Sequence, residues 1–327
     1  MEQYIENEFD LIKHYLTIDR EIFDKEIKTK AFDVLKKDCD SKVYTEGLLA
    51  LTNVCVNNCH YCGLNRENGE IKRFTLSDDN VKSSIKMVKD FGLKSILLIG
   101  GENPKISIDD YLRYIEEAKK QDIKVNLAMG VFTNKEYKQL KDAGLDFYTL
   151  KFEVSNPDVF NQCNSDIVFE ERLRAIYGVK EAGLKLGTGS IVGLKNQSLD
   201  DVVRDIILTK ELEADWVPIV PYVPAKNSIM GKDTPFGNVD LLLRSISLLR
   251  LLLPKAQITA GQPTQDSKLG FSDSVGNIHA MEHGANKLFV EVTPFALRND
   301  FEIIEGRKLL QLEKIDNMID GLGLKRE

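Results

Sequence analysis

Residues 48–62 read Leu48-Leu-Ala-Leu-Thr-Asn-Val-Cys55-Val-Asn-Asn-Cys59-His-Tyr-Cys62, a short apolar run followed at once by three cysteines. A short apolar run that ends at polar residues is typical of a buried strand. The same pattern, a short apolar run and then an amphipathic segment of helical period, recurs along the rest of the chain. Strands that alternate with amphipathic helices predict an α/β protein with a parallel sheet.

The alternation predicts eight strand–helix units. The predicted strands are Leu48–Leu51, Ser95–Ile99, Val125–Met129, Tyr148–Phe152, Leu186–Val192, Trp216–Pro221, Ile258–Ala260 and Leu288–Val292. The predicted helices are Asn80–Phe91, Ile108–Lys120, Asn134–Ala143, Glu170–Ala182, Leu199–Leu212, Leu241–Leu253 and Gly276–Gly284. Several of them end in Gly, which is typical of a helix C-terminus. This succession predicts a TIM-type (β/α)8 barrel, and the irregular loop Pro224–Gly237 leaves an open six-strand barrel as the alternative.

The two ends of the chain predict helices outside the barrel. We expect a helical extension over residues 1–40, with helix over Glu2–Lys37, and a last helix over Arg307–Leu322. Residues 41–327, which include that last helix, then form the barrel. No Ser/Gly linker or Pro-rich hinge marks a further domain boundary.

Composition and charge exclude several classes of protein. The chain has 327 residues and a formal net charge of −7, which argues against nucleic acid or an anionic membrane surface as its main partner. Its longest apolar stretches, such as Leu248–Leu253, are too short to span a bilayer, and its amino terminus does not resemble a signal peptide. We therefore expect a cytoplasmic protein.

The cysteines predict a metal centre. Three of the five cysteines lie within residues 55–62, whereas the cysteines of a disulfide framework would be spread along the chain. This loop follows the first strand, and active sites of barrels lie at the carboxyl ends of the strands. Three thiolates suit an iron–sulfur cluster and leave one iron without a protein ligand. A zinc site is the alternative, although His60 lies poorly placed between its flanking cysteines to complete it.

The CxxxCxxC spacing, with Tyr61 directly before the last cysteine, resembles the radical S-adenosylmethionine (SAM) superfamily. The resemblance covers nearly the whole chain and implies that Cys55, Cys59 and Cys62 hold a [4Fe–4S] cluster. In that superfamily the open iron chelates SAM, and an electron from the cluster cleaves SAM to methionine and a 5′-deoxyadenosyl radical. The protein then supplies binding, orientation and exclusion of water.

Later strands carry residues that match the cofactor motifs of this superfamily. Gly100-Gly101-Glu102 is similar to its GGE motif, in which the glutamate takes the ammonium of SAM. Gly189-Ser-Ile191-Val-Gly193 is similar to its GxIxG motif, which implies that Ile191 packs on the adenine. The remaining residues that the resemblance implies are Tyr61 at the adenine, Glu153 at the ribose or amine, and Arg172 at the methionine carboxylate. Arg174, on another helix face, is expected at the surface.

The chain resembles most the group that holds the [FeFe]-hydrogenase maturase HydE, biotin synthase and methylornithine synthase, and among these the maturase. The stretches that carry this resemblance are 53–64, Ser155-Asn-Pro157, Glu282-His-Gly-Ala-Asn286 and Thr293-Pro294. Biotin synthase is a poorer match, because the positions that would ligate its second cluster are Ile96, Asn126 and Gly187, which cannot bind iron. Cys39 and Cys163 are expected to be buried or loop thiols.

The substrate half of the site departs from the maturase. Four residues stand where that family has others: Glu46 for an arginine, Asn126 for a threonine, Lys151 for an arginine and Phe301 for a tyrosine. We expect Glu46 to reverse the charge of the barrel mouth, and the substrate to be a small, polar, amino-acid-like molecule.

Three classes of function are compatible with these patterns. The first is a radical SAM enzyme that acts on a small molecule and takes its electron from a donor such as flavodoxin or ferredoxin. The second is a non-catalytic iron–sulfur carrier or assembly protein. The presence of Glu102, Glu153 and Arg172, which match SAM-binding residues, argues against this class. The third is a zinc-dependent barrel enzyme.

Overall fold

A computed structural model describes residues 7–264, 267–304 and 306–327. The strands are β1 (Lys42–Thr52), β2 (Ser95–Gly100), β3 (Lys124–Ala128), β4 (Phe147–Thr149), β5 (Lys185–Gly187), β6 (Ile191–Val192), β7 (Trp216–Val217), β8 (Val220–Pro221), β9 (Gln257–Ile258), β10 (Lys287–Glu291) and β11 (Lys325–Arg326).

The helices are α1 (Glu8–Thr17), α2 (Arg20–Phe23), α3 (Thr29–Asp38), α4 (Asp78–Asp90), α5 (Ile108–Lys119), α6 (Asn134–Asp142), α7 (Pro157–Cys163), α8 (Phe169–Glu181), α9 (Leu199–Glu211), α10 (Val239–Leu252), α11 (Ser274–Glu282) and α12 (Leu312–Gly321). A π-helical turn, Asp24–Lys28, joins α2 to α3. Within the described part of the chain, no helix is both long and apolar enough to cross a membrane.

Eight parallel strands form the barrel. Their order in the sheet is β10-β1-β2-β3-β4-β5-β7-β9, and every neighbouring pair is parallel. The ring is completed by two backbone hydrogen bonds between its last two strands, from Asn286 N to Ile258 O at 2.9 Å and from Ala260 N to Lys287 O at 2.7 Å. The predicted (β/α)8 barrel is therefore confirmed, and the six-strand alternative is wrong.

The helices end where glycine allows the chain to turn back to the sheet. Gly92, Gly144 and Gly183 follow α4, α6 and α8 with φ values of 65°, 100° and 72°. Only glycine adopts this left-handed backbone at little cost, so these residues end the helices as the sequence predicts.

The inside of the barrel holds a small apolar cluster of its own. Leu48, Leu97, Phe147 and Trp216 pack together there. A larger core lies between the sheet and the surrounding helices. The small cluster forms a floor beneath the carboxyl ends of the strands, where the cysteine loop lies.

Helices α1 and α3 pack on the outside of the barrel. In α1, Lys13 Nζ lies 2.6 Å from Asp200 Oδ1 of α9. Just after α3, Cys39 Sγ lies 3.2 Å from Arg250 Nη1 of α10. The first residues of the predicted helix Glu2–Lys37 fall outside the described residues, and the division at residue 40 stays a prediction.

Three predicted elements differ from the structure, one of which, the predicted strand Trp216–Pro221, is two strands, β7 and β8. The last helix begins at Leu312, not at Arg307, because Leu310 forms a β-bridge with Val290 and draws the preceding segment over the barrel. The predicted strand Leu186–Val192 is two strands, β5 and β6. The chain bends between them, where Ser190 forms a bridge with Glu153.

Candidate active site

Side-chain donors hold the cysteine loop in place by hydrogen bonds to backbone carbonyl oxygens. Arg73 donates to four backbone oxygens around the loop, those of Asn53, Leu64, Asn65 and Asn68. The Asn53 side chain donates to the carbonyls of Lys72 and Asp300 at 2.8 and 2.7 Å. These bonds fix the shape of the loop before any ligand binds, as preorganisation requires.

The loop lies directly against the end of β2. A Cβ atom on Gly101 would lie 2.3 Å from Val54 O and 2.7 Å from Cys55 Cβ. One on Gly100 would lie 2.8 Å from Thr52 O. Both glycines are therefore required for the loop to pack against the strand, and their predicted role in the approach of the backbone to a ligand stays a prediction.

The three cysteines are free and partly exposed at the carboxyl end of β1. Burial raises the pKa of the Cys59 thiol to about 12, although nearby Arg172 acts to lower it. Burial also raises the pKa of Cys62. Bound iron would have to displace these protons, since thiolates are the ligands.

The donor set fits a cluster better than a single ion. Among the residues that the structure describes, no three His, Cys, Asp or Glu side chains converge as one ion requires. A four-iron cluster takes one cysteine per iron, so its ligands surround it without meeting at one point.

The other two cysteines are buried away from the loop. Cys163 lies in α7 with its sulfur 3.7 Å from Met230 Sδ, and Cys39 lies beside α10.

Glu102 lies beside the cysteine loop. Its Oε2 accepts a hydrogen bond from Asn57 Nδ2 at 2.9 Å, and its carbonyl accepts from Val56 N at 3.0 Å. Gly130 makes room for the carboxylate, since a Cβ there would lie 2.5 Å from Glu102 Oε2. The predicted cofactor carboxylate and the cysteine loop are thus adjacent.

Glu153 occupies an unusual backbone position. Its φ of 64° is left-handed, which is uncommon outside glycine and is found at functional sites. Its carbonyl accepts from Ile191 N at 2.8 Å, and its amide donates to Gly189 O at 3.2 Å. Its carboxylate lies 2.8 Å from Lys151 Nζ. These bonds join Glu153 to the predicted adenine-binding segment.

Arg172 lies in the first turn of α8. Its Nη1 donates to Lys151 O at 3.1 Å, and its buried Nε has no hydrogen-bond partner among the residues that the structure describes. Both Arg172 and Glu153 are close enough to Cys59 to influence the pKa of that thiol. The structure therefore brings together a cysteine, a carboxylate and a guanidinium from three separate segments.

A cavity of about 270 Å³ opens next to these residues. Of the predicted cofactor residues, its lining includes Tyr61, Glu153 and Ile191, together with Cys62. Of the predicted substrate residues, Lys151 and Phe301 line it. Gly100, Gly101, Glu102 and Arg172 lie to the side of it.

Glu46 does not stand in the barrel mouth. It pairs with Lys287 at 2.8 Å below the floor, and each side chain is only 2% exposed. Lys287 Nζ also lies 4.2 Å from the centre of the Trp216 ring and donates to Gln257. The expected charge reversal of the mouth is wrong, because Lys287 neutralises Glu46 inside the barrel.

Asn126 is also buried below the cavity. Its Oδ1 accepts from Thr149 Oγ1 at 2.8 Å, so it takes part in the barrel interior. Its Nδ2 has no partner among the described residues, so the expectation that Asn126 faces the substrate stays a prediction.

A hydrogen-bond network behind the cofactor residues was not predicted. Asp205, buried in α9, accepts from Ser155 N at 2.6 Å and from Gln197 Nε2 at 2.9 Å. Gln197 donates to Ile191 O and accepts from Gly193 N at 2.6 Å. The signal in the sequence is a carboxylate among the apolar residues of one helix face, between Val202-Val203 and Ile206.

Arg307 was predicted to lie in the last helix and was not predicted as a site residue. Its side chain is 2% exposed, pairs with Glu291 at 2.8 Å and lines the cavity.

Comparisons with known proteins show the family to which the chain belongs. Residues 49–208 match the family model described as the radical SAM superfamily. The chain is 30% identical to the [FeFe] hydrogenase maturase subunit HydE of Thermotoga maritima, over 97% of this chain and 91% of that protein. It is 27% identical to a biotin synthase of Lawsonia intracellularis, over 80% of this chain and 85% of the relative.

A solved structure shares the whole fold. The crystal structure of methylornithine synthase (PylB) superimposes with a TM-score of 0.84 at 18% identity, and the match covers 100% of this chain and 95% of that one. The chain belongs to the radical SAM superfamily, within the group that holds HydE, biotin synthase and methylornithine synthase.

Proposed function

We propose that Cys55, Cys59 and Cys62 hold the [4Fe–4S] cluster of a HydE-like enzyme that acts on a small amino-acid-like molecule. Enzymes of this superfamily use such a cluster together with SAM, act on small molecules and need a reductant. When bound, the cluster supplies the electron that cleaves SAM to methionine and a 5′-deoxyadenosyl radical. The observation that carries the proposal is that Lys151 joins Glu153 and Arg172, through an ion pair and a hydrogen bond, close to Cys59 at the barrel rim.

Each of the surrounding residues has a task in this proposal. Glu102 accepts hydrogen bonds from the ammonium of SAM. Arg172, whose Nε has no partner in the described part of the chain, binds the methionine carboxylate. Glu153 holds the ribose or the amine, while Tyr61 and Ile191 contact the adenine. Gly100 and Gly101 let the backbone approach SAM. The apolar cavity keeps water away from the site.

The HydE-like assignment rests on similarity along 97% of the chain. A biotin synthase-like or methylornithine synthase-like reaction is the second candidate. Of these two reactions, the sulfur insertion of biotin synthase has the weaker support, because Ile96, Asn126 and Gly187 offer no iron ligand for a second cluster. A carrier of iron–sulfur units would not need Glu102, Glu153 and Arg172.

The proposed enzyme also needs an electron donor and a location in the cell. We expect the electron to come from a donor such as flavodoxin or ferredoxin. The cytoplasmic location stays a prediction, which the clustered, reduced cysteines favour.

The proposal is tested by SAM cleavage. We expect anaerobically reconstituted protein, reduced with dithionite, to release methionine and 5′-deoxyadenosine in equal amounts. Addition of the right small molecule raises the rate. Binding of a cluster without any cleavage of SAM would instead favour the carrier.

Asp205→Asn is expected to weaken SAM binding about tenfold, which corresponds to about 1.4 kcal/mol. Asparagine presents one acceptor where Asp205 has two, so either Ser155 N or Gln197 loses its partner, and the segments that carry Glu153 and Ile191 loosen. The measurement is the SAM dissociation constant of the reconstituted enzyme. The matched control is Asp200→Asn, an exposed carboxylate of the same helix that pairs with Lys13. Equal SAM affinity in both variants would show that the network does not position the cofactor residues.

A further inference from the structure

The cavity below the cysteine loop has mostly apolar walls. Its floor and sides include Leu48, Leu97, Trp216, Phe289 and Leu309. Of its charged residues, Lys151 and Glu153 neutralise each other at 2.8 Å and lie on the side of the proposed cofactor residues. A substrate that fills the rest of this cavity therefore needs an apolar body.

Arg307 is the exception in the apolar wall. One face of its guanidinium lies 5.0 Å from the centre of the Phe301 ring, which orients it. Of the residues that the structure describes, only Glu291 pairs with it, through Nη2 at 2.8 Å. A guanidinium carries five N–H donors in a planar fork, so donors remain for a second carboxylate.

Arg307 also lines an outer pocket of about 290 Å³ on the far side of the same wall. Arg298, Lys308 and Lys314 line that pocket as well. Glu291 is the carboxylate that faces them. A basic pocket on a chain of net charge −7 favours the approach of an anion to this side of the barrel.

Asn277 supplies a buried acceptor to the lining of the same cavity. It is fully buried, and its Nδ2 donates to Phe271 O and Asp273 O. Its Oδ1 has no partner within the described ranges of the chain. Asn277 and Arg307 line the same cavity, and the segments that hold them are in contact, since a Cβ on Gly270 would lie 2.7 Å from Gly306 O. A buried acceptor without a partner costs free energy that a donor from a ligand would recover.

We propose that Arg307 binds the carboxylate of an α-amino acid with an apolar side chain, and that Asn277 Oδ1 accepts a hydrogen bond from its ammonium. The apolar side chain lies on Trp216 and Phe289. This assignment rests on the proposed function and names the substrate class of the same site.

The test measures binding without turnover. Holoenzyme with SAM and an oxidised cluster is titrated by calorimetry with L-leucine, L-methionine and L-phenylalanine, and with the amide of each. We expect at least one of the amino acids to bind and its amide, which has no carboxylate, to bind about thirtyfold more weakly. An amide that binds as tightly as its amino acid would overturn the proposal.

Substitution of Arg307 completes the test. Arg307→Gln is expected to weaken binding of the amino acid about thirtyfold and to remove its advantage over the amide. Arg307→Lys keeps the charge without the fork and should fall between the two; it also serves if the glutamine variant does not fold. Arg326→Gln, a surface arginine that pairs with Asp316, is the control and should bind as the unaltered enzyme does.

The failures of the two proposals differ. If the enzyme cleaves SAM but binds none of the three amino acids, the substrate class is wrong and the proposed function stands. If it binds the cluster and never cleaves SAM, the proposed function is wrong as well.

Discussion

Cys59→Ala is expected to lose the iron–sulfur cluster and with it SAM cleavage, by a factor of at least about a thousand. The same holds for Cys55→Ala and Cys62→Ala, because each thiolate binds its own iron and each loss leaves the cluster two ligands in this chain. The measurements are iron and sulfide content, the visible absorption of the cluster, and the rate of 5′-deoxyadenosine release.

The control for this prediction is Cys163→Ser. Cys163 is buried in α7 against Met230 and holds no iron in the proposed site, so this variant should keep its cluster and activity. A Cys59→Ala enzyme that kept a full cluster and cleaved SAM would show that the three cysteines are not the ligands.

Lys287→Met is expected to destabilise the protein by about 3–5 kcal/mol. Burial lowers the pKa of Lys287, while the nearby Glu46 carboxylate acts in the opposite direction and helps to keep the lysine charged. Removal of the lysine leaves Glu46 charged and unpaired at 2% exposure inside the barrel. The measurement is the free energy of unfolding in urea.

The double variant Glu46→Gln/Lys287→Met distinguishes the destabilisation caused by an unpaired buried charge from that caused by the lost packing of the lysine side chain. We expect it to recover most of the lost stability, since a buried pair replaced as a whole costs far less than a pair broken on one side. If the single variant were as stable as the unaltered protein, Glu46 would not depend on Lys287.

The fold was predictable from the sequence because its signals are local. Each apolar run followed by an amphipathic segment specifies one strand and one helix, and Gly92, Gly144 and Gly183 mark the turns between them. The short helix α7 was missed, although Asn156 caps it and Pro157 occupies its first turn. Closure of the barrel depends on backbone bonds between β9 and β10, which no local pattern encodes.

The substrate side was harder to predict for a physical reason. Glu46 and Lys287 are 241 positions apart in the chain and become partners only when β1 and β10 lie side by side, so a carboxylate expected in the mouth is neutralised below it. Arg307 has the pattern of a helical residue, but the bridge from Leu310 to Val290 draws its segment across the barrel. Contacts between distant segments decide both cases.

The most direct test of the account concerns the iron that no cysteine binds. SAM with isotopically labelled nitrogen in its amine is added to the reduced enzyme, and electron–nuclear double resonance is recorded on the cluster. The account predicts a coupling between the cluster and the labelled nitrogen, which Arg172→Ala weakens and Arg174→Ala leaves unchanged. A reduced cluster that shows no coupling at saturating SAM would contradict it.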